Sequence, residues 1–258
     1  MKLLLVGNGK WAQSYISTLV GFPDVQLKIA NRDSWKYLID ENPAGVIVCT
    51  PPSSHIEIAE YSLQQNIPTM IEKPLALSYQ EAIALQQYKA PILVNHIHLF
   101  STAYQYLKKS IASEHINSIV SLGFNKGPIR EYSGLWDYGC HDLSMILDLM
   151  DEYPSSIDVS EVKTKHGSLF NIKLKFGQVE TESLVGNGGE KRVRKLKVEC
   201  GGLNLVYDGK LHPPAHELPL TNALKVFLAA IGGEGDPRLG IGLALDILKI
   251  LEVCQNQL

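Results

Sequence analysis

Three side chains in this sequence have the types and spacing that the oxidation of an alcohol requires. Lys73 follows a short apolar segment and precedes Pro74, and Asp137 and His141 stand four residues apart. A hydroxyl that loses a hydride also loses a proton, so a site needs a base and a group that stabilises the oxygen. An ammonium such as Lys73 suits the second task, and His141, which titrates nearest neutrality, suits the first. If Asp137 shares a helix face with His141, its carboxylate can orient the imidazole or bind a hydroxyl.

These three residues also have ordinary structural explanations. A lysine before proline is unremarkable on a surface, Asp137 could cap the helix that follows it, and His141 could be a hydrogen-bonded core histidine. The sequence pattern favours the chemical interpretation only when the elements that position these residues are considered.

A glycine-rich turn follows the first apolar segment, Leu3–Val6, and leads into a helix-like segment that ends near Val20. The spacing G-x-G-x-x-A is typical of a strand, turn and helix that bind a dinucleotide pyrophosphate at the helix N-terminus. Gly7 allows the tight turn, Gly9 lets the backbone approach the phosphates, and Ala12 lets the helix lie close to the strand. The cofactor-binding residues predicted here are Gly7, Asn8, Gly9, Lys10, Trp11 and Ala12.

The end of the second predicted strand, Val25–Ala30, bears on the choice of cofactor. NAD-selective sites place an acidic residue there to bind the ribose 2′-hydroxyl. Here Asn31 is neutral, and Arg32 can present its guanidinium to a 2′-phosphate. These two residues favour NADP as the cofactor, with NAD tolerated. The alternative is a turn shifted by one residue, in which Asp33 would reach the ribose and restore a preference for NAD.

Alternation of strands and helices predicts a doubly wound parallel sheet in residues 1–95. Residues 96–258 are expected to form a second, α+β domain with a helix that begins near Trp136, an antiparallel meander and two closing helices able to pack back on the first domain. Two local expectations are a Ser78–Tyr88 helix with a Ser78–Glu81 capping box and a turn at Asn187-Gly188-Gly189. The open face of the second sheet is expected to meet a partner subunit.

Composition excludes several classes of protein. The chain has 258 residues and a net charge of −3, with no basic face, so nucleic acid is not an expected partner. No apolar segment approaches the length of a membrane span. The four cysteines are scattered without a C-x-x-C pair, which predicts neither a disulfide framework nor a metal site and is typical of the reducing cytoplasm. These cysteines are Cys49, Cys140, Cys200 and Cys254.

Taken in order along the chain, the motifs resemble those of the Gfo/Idh/MocA oxidoreductases. The resemblance rests on the glycine turn, T-P-P-S-S-H at residues 50–55, E-K-P at 72–74, D-x-G-x-H at 137–141 and the closing tail. It covers essentially the whole chain. It implies an α/β fold, with an N-terminal Rossmann domain and a C-terminal α+β domain that carries an open, mostly antiparallel sheet. It also implies NAD(P)-dependent hydride transfer with a sugar, cyclitol or nucleotide sugar, and assembly as a homodimer or homotetramer.

The resemblance assigns further residues to the site. Lys73, Asp137 and His141 are the predicted catalytic residues. His55 is expected to shape the loop beside the cofactor, His96 and His98 follow a strand end where they could line the pocket, and Trp136 could stack on a sugar or pack in the core. The remaining cofactor residues are Thr50, Pro51, Ser53, His55, Glu72 and Lys73, and the predicted substrate residues are Asn95, His96 and Trp136.

Two departures from the family pattern leave the substrate open. The chain is shorter than is usual in the family, and Ser144 occupies a position where the family often has aspartate. The alternative to an enzyme is a catalytically silent protein of the same fold that binds dinucleotide as a sensor or regulator. Retention of Lys73, Asp137 and His141 together favours the enzyme.

Overall fold

The computed structural model of the protein describes residues 1–127, 130–209 and 218–258. The strands are β1 (Lys2–Val6), β2 (Gln26–Ala30), β3 (Gly45–Val48), β4 (Thr69–Glu72), β5 (Ile92–Asn95), β6 (Ile116–Lys126), β7 (Ser156–Thr164), β8 (Gly167–Phe176), β9 (Val179–Gly186), β10 (Gly188–Cys200) and β11 (Leu203–Asp208). The α-helices are α1 (Lys10–Leu19), α2 (Trp35–Asp40), α3 (His55–Gln64), α4 (Tyr79–Ile83), α5 (Thr102–Ser110), α6 (Gly134–Met150), α7 (Pro219–Ile231) and α8 (Gly242–Gln257).

Contacts divide the chain into two compact units. The first unit comprises Met1–Asn95 and Ala215–Leu245, and the second comprises His96–Pro214 and Asp246–Leu258. The first therefore includes α7 together with the N-terminal strands and helices.

The first unit contains a five-stranded parallel sheet in the order β2-β1-β3-β4-β5. Strands β3, β4 and β5 are buried along their whole length. Helices cover both faces of a doubly wound sheet, so its strands consist mainly of apolar residues. The chain winds from β1 to β2 on one side and then to β3 on the other. This reversal creates a switch point between β1 and β3, where such sheets bind ligands. The predicted Rossmann domain is confirmed.

The helix expected over Ser78–Tyr88 is divided in the structure. Helix α4 ends at Ile83, and a 3₁₀ turn covers Ala84–Gln87. Ser78 precedes α4 in an extended conformation but makes no side-chain capping hydrogen bond, so the predicted capping box is wrong. An isolated helix of five residues offers few i→i−4 hydrogen bonds, and the chain tightens into 3₁₀ geometry instead.

The second unit contains a six-stranded sheet in the order β11-β10-β6-β9-β8-β7. All neighbouring strands are antiparallel except β6 and β9, which pair in parallel. The sheet is mostly antiparallel, as predicted, but it is not a simple meander. Helix α6 follows β6 and carries the chain across the sheet, so that β9 returns beside β6 in the same direction, as a parallel pair requires.

The turn predicted at Asn187-Gly188-Gly189 is restricted to its first residue. Gly188 begins the long strand β10, and the Asn187 Oδ1 accepts a hydrogen bond from the Ser168 amide over 3.1 Å. A Cβ on Gly189 would overlap the ring of Phe124. The chain reverses direction between β9 and β10, and the glycines that follow Asn187 are explained by close packing within the sheet at this reversal.

Helix α6 covers one face of this second sheet. It buries Leu143, Ile146 and Leu147, which are spaced along one side of the helix as an amphipathic pattern predicts. The opposite sheet face exposes apolar side chains, with Val120 42% and Val206 58% exposed.

Candidate functional site

In the first unit, the predicted cofactor residues lie at one edge of the parallel sheet. Gly7 follows β1, Thr50 follows β3, Lys73 follows β4 and Asn95 ends β5. Because parallel strands end at the same edge, sequence segments that are far apart along the chain are brought to the switch point.

The glycine turn has the geometry that an approaching pyrophosphate requires. Gly7 has φ +116°, and a Cβ there would overlap the carbonyl of Cys49, so only glycine fits. Gly9 is the N-cap of α1, and a Cβ on it would meet nothing within 4 Å. Helix α1 then starts without a side-chain cap. Its first N–H groups and its partial positive charge suit a phosphate.

His55 joins the loop after β3 to the loop after β4. Its Nδ1 lies 2.9 Å from the Pro74 carbonyl and its Nε2 lies 2.8 Å from the Thr50 carbonyl. The ring is buried, and burial lowers the pKa of His55 because the imidazolium would lose its hydration, while the two carbonyls act in the opposite direction. The Ser54 hydroxyl donates to the Thr50 Oγ1 over 2.9 Å. These contacts hold the two loops together.

The Glu72 carboxylate organises a buried polar cluster beneath this edge. Its Oε1 accepts hydrogen bonds from the Trp11 Nε1 (2.6 Å), the Tyr15 hydroxyl (2.6 Å) and the Asn95 Nδ2 (2.7 Å). Asn95 also donates to the Tyr15 oxygen over 2.8 Å. Glu72, Tyr15 and Asn95 are buried, whereas Trp11 is 43% exposed. The cluster thus links the first turn of α1 to the ends of β4 and β5.

Lys73 occupies the next position along the chain. Its side chain is half-buried, its amide donates to the Glu72 Oε2 over 3.3 Å, and its peptide bond to Pro74 is cis.

Asn31 closes the turn after β2. Its Oδ1 accepts hydrogen bonds from the Asp33 amide (3.0 Å) and from the Ser34 amide (3.1 Å) and hydroxyl (2.9 Å). An open cavity of about 320 Å³ lies beside this turn. Its lining includes the cations Arg32 and Lys36, together with Asp33, Trp35 and Glu57.

In the second unit, Asp137 and His141 both lie on the first turns of α6, as predicted. Asp137 is 7% exposed, and its Oδ2 accepts a hydrogen bond from the Arg130 Nε over 2.6 Å. Trp136, offered as a stacking surface or a core residue, is 6% exposed. Arg130 was not predicted as a site residue, because nothing in the sequence around it distinguishes it from other arginines in loops.

His141 is half-buried and contacts a second histidine. Its ring packs edge to face against that of His98, with 4.9 Å between the centroids and an angle of 82°. The His98 Nδ1 lies 2.8 Å from the Tyr207 hydroxyl. His96, the predicted substrate residue, is buried at 4% exposure, and His98 was considered only as a possible pocket residue.

Residues 1–127, 130–209 and 218–258 contain no group of three or more histidine, cysteine or acidic residues able to hold a metal ion. No helix in the same ranges has the length and apolarity to cross a membrane.

Comparison with known proteins agrees with this geometry. Residues 22–90 match the sequence profile of an oxidoreductase family with an NAD-binding Rossmann fold, GFO_IDH_MocA. Over 146 residues, which are 55% of this chain and 42% of the relative, the sequence is 28% identical to UDP-N-acetylglucosamine 3-dehydrogenase of Acidithiobacillus ferrooxidans. The match thus spans less than half the length of that curated relative.

Solved structures extend the likeness to the whole chain. A protein from Magnetospirillum magnetotacticum MS-1, classed as an oxidoreductase, has a TM-score of 0.87 at 27% identity, covering 98% of this chain and 99% of that one. A myo-inositol dehydrogenase from Corynebacterium glutamicum has a TM-score of 0.85 at 13% identity, covering 100% and 96%. At the second identity the likeness concerns the fold alone.

A parallel sheet with a glycine turn at its switch point and a second, mostly antiparallel sheet are the architecture that this chain shares with those solved structures. Within the first sheet's unit, residues 22–90 match the Gfo/Idh/MocA oxidoreductase family, whose Rossmann fold binds NAD. The family prediction made from the motifs is confirmed.

Proposed function

We propose that the protein is a dehydrogenase or reductase that acts on a CH–OH group of a carbohydrate-like substrate, using a nicotinamide dinucleotide. The observation that carries the proposal is the edge of the parallel sheet, where the open Gly9 turn follows β1 and Lys73 follows β4, the two strands on either side of β3. The open space beside Gly9 and the uncapped α1 N-terminus fit a dinucleotide.

In the proposed oxidation, the substrate C–H bond breaks with its electron pair and the O–H bond gives up its proton. The nicotinamide, when bound, supplies the hydride acceptor. The Lys73 ammonium donates a hydrogen bond to the substrate oxygen and stabilises its developing negative charge. His141 takes the hydroxyl proton, and the product is a carbonyl. In the reverse direction the same residues return the proton to the oxygen.

The proposed substrate class is a sugar, a cyclitol or a nucleotide-linked sugar. The partial sequence match to a dehydrogenase of UDP-N-acetylglucosamine supports the nucleotide sugar, and the resemblance of the motifs to the family keeps sugars and cyclitols in the proposed class.

The experiment is a screen of these substrates with both cofactors, read from the absorbance of reduced nicotinamide, followed by two substitutions. Lys73→Met is expected to abolish turnover and leave dinucleotide binding nearly unchanged, with Lys89→Met, an exposed lysine of the same unit, as control. His141→Asn is expected to lower the rate on the order of 10²–10⁴-fold, with the exposed His115→Asn as control. Near-normal turnover in Lys73→Met would refute the mechanism. Dinucleotide binding without turnover of any substrate would favour the sensor instead.

We further propose a preference for NADP(H), with NAD(H) tolerated. Arg32 lines the cavity after β2 together with Lys36, Asp33 and Glu57, and Lys36 pairs with Glu57 over 3.1 Å. Because the Asn31 oxygen is engaged in its own turn, the Arg32 guanidinium is the group proposed to bind the ribose 2′-phosphate. Arg32→Ala is expected to raise the dissociation constant of NADPH and to change that of NADH little. An unchanged NADPH dissociation constant would contradict the preference.

Assembly as a homodimer or homotetramer is part of the same proposal, as is a cytoplasmic location. The exposed apolar residues on the open sheet face support assembly. The four cysteines, which are free and buried, support a reducing compartment.

A further inference from the structure

The second unit contains a side-chain arrangement that the proposed mechanism does not use. His98 lies in the 3₁₀ segment Ile97–Phe100, and its ring lies between two others, with the His141 ring on one side and the Tyr207 ring, 5.9 Å away between centroids, on another. The hydrogen bond between the His98 Nδ1 and the Tyr207 hydroxyl fixes the orientation of the imidazole.

The Tyr207 side of that hydrogen bond is a protonated hydroxyl. Tyr207 is 3% exposed, and burial raises its pKa because a phenolate would lose its hydration. The hydroxyl can therefore donate to an unprotonated His98 Nδ1 or accept from a protonated one, and in both cases the bond holds the imidazole in place.

Tyr207 is itself held in place by a neighbouring aromatic ring. The Tyr104 ring packs edge to face on it at 5.9 Å and 79°. The Tyr104 hydroxyl donates to the Asp148 carboxylate over 2.6 Å, and the Lys108 ammonium pairs with the same carboxylate over 2.8 Å. The Tyr104 ring is thus the part of this residue that contacts Tyr207, and its hydroxyl bonds elsewhere.

We propose that His98 and Tyr207 are positioning residues for His141, holding its ring in the orientation in which it exchanges a proton with the substrate. This inference rests on the proposed function, since it assigns the base role to His141. Neither residue is required to touch the reacting atoms.

Two acidic residues of α6 are paired with cations. Asp137 pairs with Arg130, and Asp142, which directly follows His141, forms a buried ion pair with Arg194 of β10. The Cys140 thiol on the same helix is buried. His98 differs from these groups because it is an imidazole in ring contact with His141.

The two imidazoles are close enough to interact electrostatically, since a positive charge on one disfavours a positive charge on the other. Substitution of His98 should therefore alter how the His141 ring responds to pH.

The experiment compares three variants of the full chain. Tyr207→Phe removes the hydroxyl and keeps the ring. His98→Gln removes the titrating imidazole and keeps a polar side chain. Tyr104→Phe is the matched control, because it deletes a buried hydroxyl that bonds to Asp148 and the Met145 carbonyl instead of a histidine. Circular dichroism first checks that each variant is folded.

The first measurement is an NMR pH titration of the His141 ring, whose signals are identified from their loss in His141→Asn. His98→Gln is expected to change the pH dependence of the His141 ring signals, because it removes the imidazole in contact with that ring, and Tyr104→Phe is expected to leave it as in wild type. An unchanged pH dependence in His98→Gln would overturn the inference.

The second measurement is steady-state kinetics with the best substrate of the screen. Tyr207→Phe and His98→Gln are expected to lower kcat on the order of tenfold and to leave the dinucleotide KM within about twofold, because they misplace the base and not the cofactor. Wild-type kcat in either variant would also overturn the inference. If wild type itself has no turnover, the proposed function fails, and the NMR titration still decides the coupling.

Discussion

Removal of the Tyr15 hydroxyl should destabilise the first unit far more than removal of a comparable exposed hydroxyl. Tyr15 is fully buried and donates to the Glu72 Oε1 over 2.6 Å. Phenylalanine fills nearly the same volume, so the substitution deletes the hydrogen bond with little change in packing.

The magnitude follows from the charge of the acceptor. A hydrogen bond to a charged group contributes about 1.5–3 kcal/mol. Asn95 loses its contact with the Tyr15 oxygen but keeps its bond to Glu72, so it is not left unsatisfied. The expected loss for Tyr15→Phe is therefore about 1.5–3 kcal/mol, which lowers the urea midpoint on the order of 1 M.

The matched control is Tyr61→Phe in the same unit. The Tyr61 hydroxyl donates to the Asp40 Oδ1 over 2.8 Å at an exposed position, where water replaces the lost bond. Urea unfolding followed by tryptophan fluorescence and circular dichroism measures both variants. A midpoint shift in Tyr15→Phe no larger than that in Tyr61→Phe would refute the reasoning.

The same residue predicts a pH dependence with a definite sign. Burial, and then the Glu72 charge, raise the pKa of Tyr15 well above its ordinary value of 10.0. Above about pH 10 the unfolded chain releases this proton while the folded chain keeps it, so stability falls as the pH rises. Wild type should therefore lose about 1.4 kcal/mol more per pH unit than Tyr15→Phe in this range. If the free energy of unfolding falls equally with pH in wild type and in Tyr15→Phe, the Tyr15 hydroxyl ionises in the folded protein as it does in the unfolded chain, and the reasoning is refuted.

Two further predictions concern the glycine turn and the open sheet face. Gly7→Ala should disrupt the turn and abolish dinucleotide binding, because φ is +116° and the methyl group would overlap the Cys49 carbonyl, whereas Gly9→Ala should fold normally and only weaken binding. Calorimetry measures the binding of the dinucleotide and circular dichroism the folding of each variant. Equal folding of both variants would contradict the different roles given to the two glycines. Val206→Glu should dissociate the proposed oligomer, since Val206 is 58% exposed on the uncovered face. Light scattering measures the mass of both proteins, and a wild-type monomer at micromolar concentration would refute assembly.

Local patterns determined the parts of this protein that depend on residues close in sequence. The strand, turn and helix around Gly7 and Gly9 could be predicted because a tight turn, a close backbone approach and a helix start each require particular residues at fixed spacing. The strand that precedes Lys73 and the early turns of α6, which carry Asp137 and His141, could also be predicted from local patterns. The family followed from the order of these motifs, and its prediction is confirmed.

The tertiary structure decided what those residues contact. The position of β6 between β10 and β9 could not be predicted, because strand order depends on how α6 crosses the sheet and leaves no periodicity in the sequence. Glu72 attracts donors from α1 and β5, and His98 reaches Tyr207 across 109 positions of the chain. A hydrogen bond between side chains needs only that two groups meet in space, so nothing in the local sequence at either end records its partner.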